Sequence, residues 1–249
     1  MPFIKLENLQ HCFADGTIGL KDINLNIQRG EFVILAGANG SGKTTLLRHL
    51  NGLLFPTKGN VLIDNVPVKQ DLIRARQIVG MVFQDADSQI IGETVYDDVA
   101  FGPENLNLPK NEIQKRVIKA LKDVGLEKLA DVRPLQLSGG EKRRLAVAGI
   151  LAMEPELIIF DEPFSNLDYP GIIQVLKQII DLHNSDHTII VTTHDLEKII
   201  AHADRLIIME DGRIVSDGLP DQLSDKVEQF GVRTPCAVRF GKKVDSWLN

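Results

Sequence analysis

Cysteine is almost missing from this 249-residue chain, which has only Cys12 and Cys236, far apart and neither opening a C-x-x-C. That scarcity argues against a disulfide framework and against a cysteine-built zinc site. Long apolar runs are missing too, since none approaches the roughly 18 to 20 residues of a membrane-crossing helix. The opening Met1-Pro2-Phe3-Ile4-Lys5 lacks the basic-then-apolar order of a secretory signal, so the protein is expected to stay in the cytosol. Nor is there an excess of positive charge. With 28 basic and 34 acidic residues the net charge is -6, and the field opposes loose binding to nucleic acid or anionic lipid unless a local patch supplies it. No internal repeat or low-complexity tract is visible. What the chain does have is 43% hydrophobic residues, enough to bury a full core as one large domain or one domain with subdomains.

The most informative stretch is Gly37-Ala38-Asn39-Gly40-Ser41-Gly42-Lys43-Thr44-Thr45, between the apolar run Phe32-Val33-Ile34-Leu35-Ala36 and the mixed run beginning at Leu46. Strand, glycine loop and helix start follow in the order of G-x-x-x-x-G-K-[ST]. Glycines there let successive N–H groups point into one concavity, and the helix N-terminus adds partial positive charge, which together suit phosphates. Lys43 is expected to reach the β- and γ-phosphates, and the Thr44 hydroxyl to ligate a bridging Mg²⁺.

Around this loop, Ile4, Leu6 and Leu9, then Ile23, Leu25 and Ile27, read as two half-buried strands about a turn at Asp15-Gly16. Phe13, between them, suits either stacking on a nucleotide base or a core position. A helix is expected from the loop to about Leu53, a hairpin at Val61-Leu62-Ile63 with Asp64-Asn65, and a buried strand from Ile78 to Phe83. From Gln84 to about Glu154 the texture turns to loop and helix. One helix there should present Ile113, Val117, Leu121 and Val124 on a single face, between Pro109 and Gly125. Another should begin at Leu137-Ser138-Gly139-Gly140-Glu141, carry Leu145, Ala148 and Leu151, and end before Pro155. Its N-terminus reads equally as a second anion site or as an ordinary cap.

Leu157-Ile158-Ile159-Phe160 is a short apolar strand ending in two acids, Asp161 and Glu162. Beside a phosphate loop, one carboxylate can hold a metal while the other orients and deprotonates water. Ser165-Asn166-Leu167-Asp168 forms a turn, and Pro170 starts a helix expected to turn Ile173, Leu176 and Ile180 inward. Thr188-Ile189-Ile190-Val191-Thr192 is the next buried strand and leads to Thr193-His194-Asp195. His194 lies where open α/β sheets place ligands, and it either senses a terminal phosphate or caps a helix expected over about 196–203. His183 and His187 flank a turn, so a metal site there is not expected. A hairpin about Asp211-Gly212 and a small helical extension close the chain.

Taken together, these residues resemble the ATPase subunit of an ATP-binding cassette transporter over about residues 3–218. Residues 37–44 resemble the Walker A loop, Gln84 the Q-loop, 137–141 the signature, 157–162 the Walker B strand, 165–168 the D-loop and His194 the switch histidine. The stretch 94–105 with Leu108-Pro109, and the tail from Gly218, are more narrowly similar to the ATPases of energy-coupling factor importers of vitamins or transition-metal ions. Glu141 stands where Gln is commoner, Asn166 where a small residue is, and Phe13 where Tyr is frequent.

The resemblance implies an α/β fold, a P-loop NTPase (RecA-like) core with an antiparallel β subdomain, an α-helical subdomain at about 85–154, and a C-terminal helical extension at 219–249 after a cassette at 1–218. It implies an ATP site of Phe13, Gly37, Ala38, Asn39, Gly40, Ser41, Gly42, Lys43, Thr44 and Thr45. Mg²⁺ would be held by Thr44, Gln84 and, through water, Asp161. Glu162 would be the general base, with Gln84 and His194 completing the catalytic set, His194 bridging the γ-phosphate and the attacking water. Ser138, Gly139, Gly140, Glu141 and Asp168 would act on the nucleotide of a second copy, in a homodimer or a heterodimer with a related ATPase. The implied partners are an integral membrane transport subunit and a substrate-binding membrane subunit, reached from the cytoplasmic face as a peripheral protein, with no nucleic acid. Ile90, Ile91, Val95 and Tyr96 read as an apolar docking surface or as part of the subdomain core, and if they dock a partner, charge reversal at Asp97 and Asp98 is expected to uncouple transport while sparing ATP binding. A soluble cassette ATPase acting on nucleic acid or ribosomes is the alternative, disfavoured by the single motif set and the acidic balance. A GTP switch is disfavoured by the missing Asn-Lys-x-Asp.

Overall fold

The computed structural model of the chain describes residues 1–248. β1 (Ile4–Cys12) and β2 (Ile18–Ile27) pair antiparallel and bury Ile4, Leu6, Leu9, Ile23, Leu25 and Ile27. Their alternation slips by one between Leu6 and Leu9, where Asn8 takes a left-handed φ of 48° and the register shifts. The bulge returns Leu9 to the buried face. β3 (Phe32–Ala36) is apolar and buried at every position, as a strand covered on both faces must be. Next come α1 (Lys43–Leu50), then β4 (Lys58–Ile63) and β5 (Val66–Pro67), which complete a four-stranded sheet in the order β2-β1-β4-β5.

α2 (Leu72–Ile78) leads into β6 (Val79–Val82), after which the chain leaves the sheet for α3 (Val95–Asn105), α4 (Lys110–Asp123) and α5 (Gly139–Leu151). It returns through β7 (Leu157–Asp161), α6 (Tyr169–Asn184), β8 (Thr188–Thr193), β9 (Arg205–Glu210) and β10 (Arg213–Gly218). The second sheet has six strands in the order β10-β9-β3-β8-β7-β6, all parallel except β10.

Because side chains alternate along a strand, this sheet feeds two cores. Phe32, Ile34, Phe160 and Val191 pack with Val95, Val117, Leu145 and Leu176 of the helices, while Val33, Leu35, Ile159 and Ile190 pack with α1 and the antiparallel sheet. Each fully buried aliphatic side chain contributes about 1.5–3 kcal/mol. The register pairs Ala36 with Thr193 and Asp161 with Thr192, so β3, β7 and β8 end level. Residues 37, 162 and 194 therefore emerge on one carboxyl-end rim.

Several local expectations are corrected. α1 stops at Leu50, not about Leu53, because Gly52 takes a left-handed φ of 68°. α6 buries Ile172, Val175, Leu176 and Ile179, leaving Ile173 and Ile180 half-buried; its apolar stripe is wide enough to read in two phases, and packing on the sheet chooses. Residues 196–203 form two 3₁₀ turns instead of a helix, capped by Asp195 and not by His194. Beyond β10, α7 (Pro220–Leu223), a 3₁₀ turn at Val227–Phe230 and α8 (Cys236–Arg239) anchor through the buried Val227 and Val232. Cys12 and Cys236 are free and exposed, and no described helix is long and apolar enough to cross a membrane.

Candidate functional site

The glycine loop folds around its own lysine. Gly37 runs at φ 153°, and a Cβ there would lie 2.3 Å from the Met209 carbonyl, so only glycine fits. Lys43, nearly buried, donates from Nζ to the carbonyls of Gly37 at 2.8 Å and Ala38 at 3.0 Å. Burial pushes its ammonium below the ordinary value, while the charges of Glu162 and Asp161 push back. Ser41 Oγ is buried without any partner. A buried hydroxyl left unpaired is costly, and a phosphate oxygen would satisfy it.

Across the rim, Asp161 accepts from Thr44 Oγ1 at 3.0 Å and from Thr192 Oγ1 at 2.6 Å. Hydroxyl and carboxylate oxygens of this kind suit Mg²⁺, which keeps waters and takes few protein ligands. No cluster of three His, Cys, Asp or Glu side chains that could hold a metal occurs among the described residues. Glu162 takes a left-handed φ of 50°, and its N–H donates to Thr192 Oγ1 at 2.9 Å and Thr192 O at 3.2 Å. That turn aims the carboxylate off the strand end. His194 Nδ1 stands 3.0 Å from both Glu162 oxygens. Glu162, His194 and Gln84 line one cleft of about 570 Å³ with residues 39–45 and Phe13. Phe13 is 38% exposed and borders the cleft, so it is not a core residue.

Ser138, Gly139, Gly140, Glu141 and Asp168 do not line this cleft. Ser138 caps α5, its Oγ accepting from Glu141 N at 3.3 Å while the Glu141 carboxylate accepts from Ser138 N at 2.8 Å and Oγ at 2.7 Å. Those bonds hold the Glu141 carboxyl below its ordinary value. Asp168 caps α6, accepting from Gly171 N at 3.0 Å. The expected docking set divides: Val95 is core, Ile90 and Tyr96 are half-buried, and Ile91 is exposed. Asp97 closes the Thr94 capping box, and Asp98 accepts from the N–H groups of Ile91 at 2.7 Å and Gly92 at 2.9 Å. Reversing either charge would break local structure, so it is not a clean test of docking.

Sequence reasoning missed Arg143. Buried on α5, it donates to the carbonyl of Gln84 at 3.1 Å and to that of Pro163, tying the Gln84 segment and the Glu162 turn to the helix that Ser138 starts. Its signal was a charged residue on a helix otherwise read for its apolar face. Thr17, Lys21, Asp211 and Gly212 also line the cleft unforeseen.

A six-stranded parallel-type sheet with a lysine-bearing glycine loop and a paired acid at the adjoining rim defines a P-loop nucleoside-triphosphatase. The ABC transporter family model matches residues 20–165, and the chain belongs to that family, whose members hydrolyse ATP. The energy-coupling factor transporter ATP-binding protein EcfA of Methanocaldococcus jannaschii is 47% identical over 92% of this chain and 83% of its own. Among solved structures, cbiO1 of Clostridium perfringens, described as part of the ABC transporter complex cbiONQ, superposes with a TM-score of 0.82 at 38% identity, covering 96% of this chain and 97% of its own. A dimeric ATP-binding cassette in a post-hydrolysis state bound to ADP and Pi gives a TM-score of 0.77 at 32% identity over 87% of this chain and 98% of its own.

Proposed function

We propose that this ATPase is the energising subunit of an energy-coupling factor importer, coupling ATP hydrolysis to passage of a metal ion or vitamin through membrane partners. It would work peripherally at the cytoplasmic face. The single observation that supports the two-copy part of this reading is that the α5 start bearing Ser138 and Gly140 lies outside the cleft that holds Lys43. A second copy, identical or related, would bring that start onto the terminal phosphate, with Asp168 beside it.

Within the cleft, residues 37–44 wrap the phosphates, Lys43 exchanging its carbonyl partners for the β- and γ-oxygens. Phe13 stacks on the base. Thr44, Gln84 and Asp161 would hold Mg²⁺, which supplies charge neutralisation during phosphoryl transfer. Glu162 takes the proton from the attacking water at its carboxylate, and His194 keeps that carboxylate aimed. Exposed Ile91 and Leu135 border a second cleft of about 450 Å³ that begins three residues after Gln84, and this is where we dock the membrane subunit.

The test is hydrolysis measured against chain concentration, with Glu162→Gln sized by light scattering with and without ATP. A rate per chain that rises with concentration, together with an ATP-dependent dimer, is expected. A concentration-independent rate with no dimer would overturn the two-copy site.

A further inference from the structure

Beneath the cleft lies a buried histidine pair that the hydrolysis reading leaves unused. His11 of β1 is 7% exposed and His49 of α1 is 1% exposed. His49 Nδ1 lies 2.7 Å from the Thr45 carbonyl, and His11 Nδ1 lies 3.1 Å from the Phe55 carbonyl. A carbonyl only accepts, so both Nδ1 atoms carry their protons. His49 Nε2 lies 3.1 Å from His11 Nδ1, so of these two nitrogens one donates and the other accepts. Burial, followed by the nearby His11, holds the His49 imidazole below its ordinary value.

The His11 end of the pair meets the residue read as the base platform. The His11 ring meets Phe13 edge-on, centroids 4.6 Å apart and planes at 82°, and meets His49 at 4.7 Å and 77°. His11 Nε2 is buried without a polar partner. The Phe13 ring also lies close to Gly19, where a Cβ would sit 2.7 Å from Phe13 Cε2. Contacts thus run from the Thr45 carbonyl through His49 and His11 to the Phe13 ring. Thr45 follows Lys43 and Thr44 directly on α1, so the aromatic ring and the phosphate-binding helix are held by the same buried unit.

We infer that His11 and His49 are positioning residues that fix the Phe13 ring to helix α1, presetting the distance between the base-binding and phosphate-binding halves of the cleft. The inference rests on the reading of Phe13 as the base platform. It assigns the pair to nucleotide affinity and not to turnover, since neither ring reaches the Glu162 rim. An edge contact between rings carries a two- to tenfold effect on an equilibrium, and that is the loss expected when the imidazole is removed.

The experiment compares Phe13→Ala, His11→Ala, His11→Asn and the Phe13→Ala/His11→Ala double variant in the full chain. Kd is measured for ATP and for inorganic tripolyphosphate, which has no base, with kcat and KM for ATP beside it. His11→Asn keeps a donor near the Nδ1 position and removes the ring, so it stands in if His11→Ala does not fold. Expected are a two- to tenfold weaker Kd and higher KM for ATP in both His11 variants, tripolyphosphate unchanged, kcat within twofold, and a double variant no weaker than Phe13→Ala. If Phe13→Ala weakens ATP but the His11 variants do not, the positioning role fails and the platform stands. If Phe13→Ala leaves ATP binding intact, the platform reading itself fails and takes the inference with it. Equal loss for ATP and tripolyphosphate in the His11 variants, or additive loss in the double variant, means a general structural role and overturns the proposal.

Discussion

Replacing Glu162 by Gln separates proton affinity from position. The Glu162 backbone is fixed by its N–H to Thr192, not by its side chain, so an amide leaves the φ 50° turn in place. His194 Nδ1 stands equally close to both carboxylate oxygens, and Gln retains one of them for it to donate to. What disappears is the ability to take a proton from water. A positioned base contributes about 10²–10⁴ in rate, or about 3–5 kcal/mol of barrier. The neighbouring carboxylate, Asp161, is engaged by Thr44 and Thr192 and so does not stand in for it. Phosphate release under single turnover should therefore slow by that factor, while Kd for a non-hydrolysable ATP analogue stays within about twofold of the parent. Turnover within threefold of the parent would remove Glu162 from the role.

Arg143→Met keeps the side-chain length but leaves the carbonyls of Gln84 and Pro163 without their donor; at about 1–3 kcal/mol for such a loss, the melting temperature should fall by several degrees and kcat with it, and an unchanged melting curve would contradict the tie. Burial lowers the folded-state values of His49 and His202, so the unfolded chain binds protons first as pH falls below about 6.5. Their contribution to stability is thus present above that pH and lost on descending towards the lower folded values, so the denaturant midpoint should drop between pH 7 and 5.5, less steeply in His49→Gln; a flat or rising midpoint refutes this. Ile91→Glu and Leu135→Glu, both at exposed positions, should leave hydrolysis by the isolated chain unchanged and weaken capture of membrane partners, and full capture by both variants would move the docking surface elsewhere.

The strands and phosphate loop were legible because each follows from a short local rule: five apolar residues in β3, glycine at positions where a Cβ would strike backbone, and a Lys-Thr pair at the helix start. The phase of α6 was not, because Ile172, Ile173, Leu176, Ile179 and Ile180 make a stripe with two equally good readings until a sheet covers one. α2 and α3 escaped notice although each carries a start signal, Asp71 accepting from Arg74 N at 2.9 Å and the Thr94–Asp97 box; Pro103 inside α3 obscured the second. Contacts between distant residues lay further out of reach. The resemblance implies separate roles for Glu162 and His194 but not their contact, and Arg143 with Gln84, and His11 with His49, pair residues 59 and 38 apart by a register that only the fold sets.

The most direct test of the transport reading is to tag the chain, solubilise native membranes gently with an ATP analogue present, and identify by mass spectrometry what co-purifies. Integral membrane proteins in fixed proportion to the chain are the predicted result. Ribosomal or DNA-bound proteins without membrane partners would contradict it.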